Sequence, residues 1–324
     1  MAGYLDSIAH PWTIHDIQMA IMSDFTTVQK SIDHTDGGKL WRSIKELDDA
    51  IWVFTKSTSE LLDKINEFGE KSKSVDFWHR SNEKNSEEYV REVKRYLYYC
   101  TSSLMTVVDI ARSLNKKWPL EAIVEHRNKF FSTPGLHDFL QKLRNFSSHW
   151  RMAQANWVIK RDFQSKTRVA SFVVSKEELL EWGGWGSKAK KFIEDGGGFI
   201  DLYTVFSEYK KQVLQYYEWQ KGALIDVYSP ILQPFFNYKK MHDGLNQKMM
   251  WNMIMSSIPA GLNPYQYLPR YLSNAHVEYI LSFENHSEKQ VDALIKILGM
   301  EGFCDSHLKA KVMKAFNVSP KNPD

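Results

Sequence analysis

Apolar residues recur at three- and four-residue steps along two long stretches of this chain, and that period commits most of it to helices. From Lys39 to Glu70 the residues Leu40, Ile44, Leu47, Ile51, Phe54, Leu61, Leu62, Ile65 and Phe68 form one stripe, as an amphipathic helix requires. From Glu87 to Leu114 a second stripe runs through Val90, Val93, Leu97, Cys100, Leu104, Val107, Val108 and Ala111, with Ser86 as the expected N-cap. Further helices are expected over Ile14 to Ile32, closed by an Asp36-Gly37-Gly38 turn, over Leu120 to Phe131, from Leu136 onward, and over Asp201 to Val227. Ser72 to Ser86 is polar and reads as a loop.

The period changes once. Trp157 to Phe163 and Arg168 to Val174 are β-rich runs joined by the polar Gln164 to Thr167, the pattern of a hairpin. Ser175 and Glu178 then sit three residues apart, a capping-box start for another helix. Trp182-Gly183-Gly184-Trp185 and Gly196-Gly197-Gly198 read as turns. The expected fold class is mainly α, an antiparallel helical bundle with one inserted β-hairpin (about 157–174) and a small C-terminal helical part. Ser229-Pro230 and Gln233-Pro234 mark the expected boundary between a domain of 1–234 and one of 235–324. Short helices are expected in the second, broken near Pro259 and Pro264.

Composition excludes several function classes. The 324 residues include 11 Trp, 15 Tyr and 18 Phe, enough apolar area for a substantial core. With 42 Lys+Arg against 39 Asp+Glu the net charge is +3, too little for the whole molecule to attract nucleic acid or a membrane. Any such function must sit in a local patch. Cys100 and Cys304 are far apart in apolar surroundings, which excludes a disulfide framework and a Cys-rich zinc site and leaves two expected buried thiols. The N-terminal stretch lacks a basic start and apolar core, and no uncharged apolar run reaches bilayer length, so the cytoplasm is the expected location and no membrane partner is expected.

The segment with chemistry is Leu143-Arg144-Asn145-Phe146-Ser147-Ser148-His149. On a helix Asn145 and His149 share a face, and Arg144 lies about 100° to one side of Asn145. An imidazole exchanges protons near neutral pH, a guanidinium grips phosphoryl oxygens bidentately, and an amide can orient either. Together they suit phosphodiester chemistry without a metal.

Arg144 to His149, preceded by Leu143 and an apolar helix, resembles the Arg-polar-x-x-x-His pattern of HEPN domains, helical bundles found in prokaryotic toxins and antiviral nucleases. The resemblance covers about Glu87 to Met152. It implies a metal-independent endoribonuclease in a bacterial toxin or phage-defence setting, with no cofactor. Two motif helices would face each other in a homodimer, and a neutralising partner protein would be present. It makes Arg144 and His149 catalytic and Asn145 their support. Many domains of this kind bind without cutting, so a noncatalytic helical interaction protein, with Arg144 paired to Glu125 or Asp138 and His149 bonded to a neighbouring helix, stands as the alternative. More loosely, His137 through Trp219 resembles uncharacterised bacterial helical proteins, which adds an expectation of fold alone.

Local charge bears on the partner. Between Phe139 and Ala170 seven basic residues stand against Asp162 alone. Lys142, Arg151, Lys160, Arg161, Lys166 and Arg168, with Trp150, are therefore the candidate RNA-binding residues, phosphate neutralisation being interleaved with Trp150, Trp157 and Phe163. The same charges also fit a solvated hairpin whose rings belong to the core. His15-Asp16, His137-Asp138 and His242-Asp243 lack the further ligands of a metal phosphohydrolase, and no metal site is expected. Ser187 to Lys191 can contact phosphates or form a solvated helix face. Lys309, Lys311 and Lys314 give the last helix a basic face that fits DNA reading or a packing subdomain.

Overall fold

The computed structural model describes residues 3–149, 153–162, 167–259 and 262–318. In chain order the elements are α1 (Ile14–His34), α2 (Asp36–Lys71), α3 (Glu83–Lys117), α4 (Ile123–Phe130), α5 (Leu136–His149), β1 (Asn156–Asp162) and β2 (Thr167–Ser175). Then follow α6 (Lys176–Leu180), α7 (Ser187–Asp195), β3 (Phe199–Asp201), α8 (Leu202–Val227), α9 (Ser229–Ser257), α10 (Leu268–Tyr271), α11 (Asn274–Leu281), α12 (Glu288–Ile297) and α13 (Ser306–Ala315). The protein is mainly helical, with a small antiparallel sheet.

Several boundaries differ from the sequence reading. Asp36-Gly37-Gly38 is the first turn of α2, because Gly37 permits a close approach: a Cβ there would lie 2.2 Å from the Ile231 carbonyl oxygen. The start of α3 is at Glu83 after Asn82, which places Ser86 inside the helix; its hydroxyl bonds back to the Glu83 carbonyl at 2.8 Å. Short 3-10 turns at Asp76–Trp78 and Arg80–Asn82 occupy the expected loop.

Residues 40–230 form one compact unit. Asp48 pairs with Lys221 at 2.8 Å and Ser59 with Lys210 at 2.8 Å, a reversed order that makes α2 and α8 antiparallel. Tyr89 on α3 donates to Glu67 on α2 at 2.6 Å. Lys64 and Lys71 also bond Glu67 and, with Tyr89, hold its carboxyl well below the usual range, at about 2. On α5 Leu136, Phe139, Leu140, Leu143 and Phe146 are buried. Trp185 covers this face, stacking with Phe139 at 5.5 Å and Phe146 at 5.4 Å, while its indole nitrogen donates to the Leu179 carbonyl at 2.5 Å. The Trp-Gly-Gly-Trp turn is thus a cap on the helix that carries the motif.

The hairpin pairs Asn156 with Val173 through Asp162 with Thr167. A third strand, β3, adds to β2 in antiparallel register from Val173 opposite Asp201. The sequence reading missed it because three residues are too few to show alternation. Trp157 packs into an aromatic cluster, 4.7 Å from Trp78 and 6.2 Å from Phe68. Phe68 in turn meets Phe172 at 4.8 Å. Cys100 is buried in this unit and burial pushes its thiol up to about 12.

Gly135, at the start of α5, has φ +75°, and a Cβ would lie 2.6 Å from the Lys188 carbonyl oxygen of α7. Both effects penalise a side chain. Gly135→Ala is expected to lose about 2–4 kcal/mol, read by urea unfolding. A loss below about 0.5 kcal/mol would mean that α7 moves away at no cost.

The other unit comprises residues up to Lys39 together with those from Ile231 onward. It joins α1 to the C-terminal helices. Trp12 donates its backbone N–H to the Tyr238 hydroxyl at 3.2 Å, and their rings lie 4.8 Å apart. The segment begins with the long helix α9, which runs through Pro234, where only short helices were expected. Trp251, Leu268, Ile280, Val291 and Leu308 form a core here. Lys309 pairs with Glu288 and Asp292 at 2.8 and 2.7 Å, and Lys311 bonds Ser256 at 3.0 Å. Two of the three lysines on the basic face of α13 thus hold the unit together. Cys304 is half-buried where full burial was expected. Among the described residues no helix is long and apolar enough to cross a membrane.

Candidate active site

The last two turns of α5 bring Arg144, Asn145 and His149 together. Leu143 and Phe146 are fully buried, so the helix is locked in rotation. Arg144 and Asn145 come out half-buried and His149 exposed. Arg144 Nη1 donates to Asn145 Oδ1 at 3.3 Å and lies 3.4 Å from His149 Nε2. A guanidinium can only donate, so this contact needs an unprotonated Nε2 and places the ring proton on Nδ1. The lone pair of Nε2 is thus held on the open side of the helix by a weak, displaceable contact. Among the described residues no carboxylate pairs with Arg144, and neither Glu125 nor Asp138 takes the role considered for it.

The other candidate residues lie on other parts of the described elements or outside the described residues. Lys142 lies half-buried on α5. The backbones of Lys160 and Arg161 belong to β1 and that of Arg168 to β2, where Arg161 stands opposite Arg168. Trp150, Arg151 and Lys166 lie outside the described residues. Trp157, expected as an interleaved ring, belongs to the aromatic cluster.

Sequence reading overlooked the polar row that continues up α5. His137 and Gln141 precede Asn145 and His149 at four-residue steps, a signal present in the sequence. Arg112 of α3 donates to Gln141 Oε1 at 3.4 Å. This leaves the Gln141 amide nitrogen facing His137 Nε2, and His137 Nδ1 meets the Tyr209 hydroxyl of α8 at 2.6 Å. The amide donates to Nε2, so the proton of a neutral His137 sits on Nδ1 and goes to Tyr209. Burial pushes His137 down to about 4.

This network makes stability pH-dependent. The unfolded chain takes up the His137 proton near the ordinary value of 6.5, whereas the folded chain resists it until about 4. Its contribution is complete above about pH 6.5 and is lost as pH falls toward 4. Between pH 7 and pH 4.5 the wild type is expected to lose about 2–3 kcal/mol more than His137→Gln. Urea unfolding at both pH values checks this, and equal losses in the two proteins would contradict it.

Two half-buried polar groups and an exposed imidazole, held over apolar anchors, can deliver proton transfer and anion stabilisation at one point. Among the described residues no group of three or more His, Cys, Asp or Glu side chains is placed to hold a metal ion. Compared with known proteins, the chain matches no family model, no curated protein and no solved structure.

Proposed function

We propose that this chain is a metal-independent endoribonuclease of HEPN type, working as a homodimer in a toxin or phage-defence setting with a neutralising partner protein. The observation that carries the reading is the contact of Arg144 with both Asn145 and His149 on the open side of α5. A helical bundle supplies the rigid support such a site needs.

In this mechanism the ribose 2′-hydroxyl displaces Arg144 from His149 Nε2 and gives that nitrogen its proton. The 2′-oxygen attacks phosphorus, and the bond from phosphorus to the 5′-oxygen breaks. The freed Arg144 neutralises the non-bridging oxygens as charge builds on them, with Asn145 holding its other side. His149 of a second copy, in its protonated form, gives the leaving 5′-oxygen a proton. The products are a 2′,3′-cyclic phosphate and a 5′-hydroxyl.

End-labelled single-stranded RNA incubated with the protein in EDTA tests the reading. Cleavage to cyclic phosphate ends, lost in His149→Ala, is expected. Cleavage that needs a divalent ion, or that survives the substitution, sinks the mechanism.

A further inference from the structure

A cleft of about 610 Å³ opens along the first half of α5, walled by α3, α4 and α7. Arg112, Arg127, Lys188 and Lys191 line it against Asp138 and Asp195. All four cations are exposed. Among the described residues Arg127, Lys188 and Lys191 form no ion pair, and the one pair of Arg112 is a 3.5 Å contact with exposed Asp109. Like charges gathered this way repel one another, and an anion between them relieves the repulsion. His137, neutral at the floor, adds no charge. Two rings, Phe131 and Phe192, give the same cleft apolar walls, so cations for phosphate stand beside surfaces for a base.

Position connects this cleft to the α5 trio. At 100° per residue, Asp138, Asn145 and His149 fall within roughly 40° of one another around the helix. The rise from Asp138 to His149 is about 16 Å, a span that a few nucleotides of strand bridge. Lys188 and Lys191 are brought to α5 by the close contact at Gly135.

We propose that this cleft holds the backbone of the single-stranded RNA substrate a few nucleotides from the bond that is cut. The identity of the strand rests on the ribonuclease reading of Arg144 and His149. Single-stranded RNA fits because its unstacked bases can lie on aromatic walls, whereas a duplex hides their faces.

The test is binding of a fluorescein-labelled 2′-O-methyl RNA 12-mer, which cannot be cut, to the full chain in EDTA, followed by anisotropy at several salt concentrations. Lys188→Ala with Lys191→Ala is expected to raise Kd about tenfold or more and to lower the log–log salt slope by about 1.4, two phosphate contacts at about 0.7 each. Lys190→Ala, whose lysine pairs with Glu194 at 3.7 Å outside the cleft, is expected to bind as wild type. These lysines are exposed, so thermal melts of the variants should match wild type.

An unchanged Kd and slope in the double variant overturns the proposal, as does absence of binding by the wild type. Adenosine monophosphate competing as well as unlabelled 12-mer also overturns it, since the cleft is then a mononucleotide site. Lysine-dependent binding of the 12-mer by a protein that leaves all-ribose RNA intact supports strand binding here and fails the nuclease reading alone.

Discussion

His149→Ala is expected to lower the rate of RNA cleavage by about 10²–10⁴-fold, the usual worth of a positioned acid or base. Folding stability should change by less than about 0.5 kcal/mol, because the side chain is exposed and gives up only a 3.4 Å contact with Arg144. Arg144→Ala should cost a similar factor, and the double variant should fall little further, since the groups act on one transition state. Arg144→Lys should recover only part of the rate, because an ammonium lacks the planar fork that meets two phosphoryl oxygens. Single-turnover cleavage and urea unfolding on the same preparations separate the two effects. A His149→Ala protein that cuts within a factor of three of wild type, or that unfolds at much lower urea, contradicts the assignment.

Phe146→Ala is expected to have the largest effect on stability, about 3–5 kcal/mol, which for a unit of this size lowers Tm by roughly 10 °C. The ring is fully buried, stacked 5.4 Å from Trp185 and edge-on to Trp182 at 5.8 Å. Its removal leaves a hole under the last two turns of α5, which present Arg144 and His149. Cleavage should therefore fall as well, below the temperature at which the protein unfolds. Phe146→Leu, which keeps most of the volume, should lose about 1.5 kcal/mol or less. Thermal melts together with cleavage well below Tm check the coupling. A loss under 1 kcal/mol for the alanine variant would mean that Trp185 closes the gap.

Much of the architecture was legible from residue period alone. The stripes through Phe54 and Phe68 and through Leu97 and Leu104 become α2 and α3, and the β-rich runs become β1 and β2. Periodicity reports burial on one face, so it finds long amphipathic elements and misses short ones such as β3. It also misjudges glycine. Gly37 and Gly38 read as a turn, yet they lie inside α2, where the small residue serves a close contact that no local pattern encodes.

The candidate site divides in the same way. Helical spacing alone placed Asn145 and His149 on one face and Arg144 beside it, because all three sit on one rigid element. Their exposure was decided by tertiary packing: Trp182 and Trp185, more than thirty residues later in the chain, cover Phe146 and turn the polar face outward. The same holds for charge. Counting along the chain pointed to the hairpin, whereas the cations around the α5 cleft come from α3, α4 and α7 and are scattered in sequence from Arg112 to Lys191. The sequence by itself determined the long amphipathic helices and which polar residues share a face of α5, since both follow from near neighbours. Which charges gather and which side of α5 stays open needed the tertiary structure, because those depend on contacts between residues far apart in the chain.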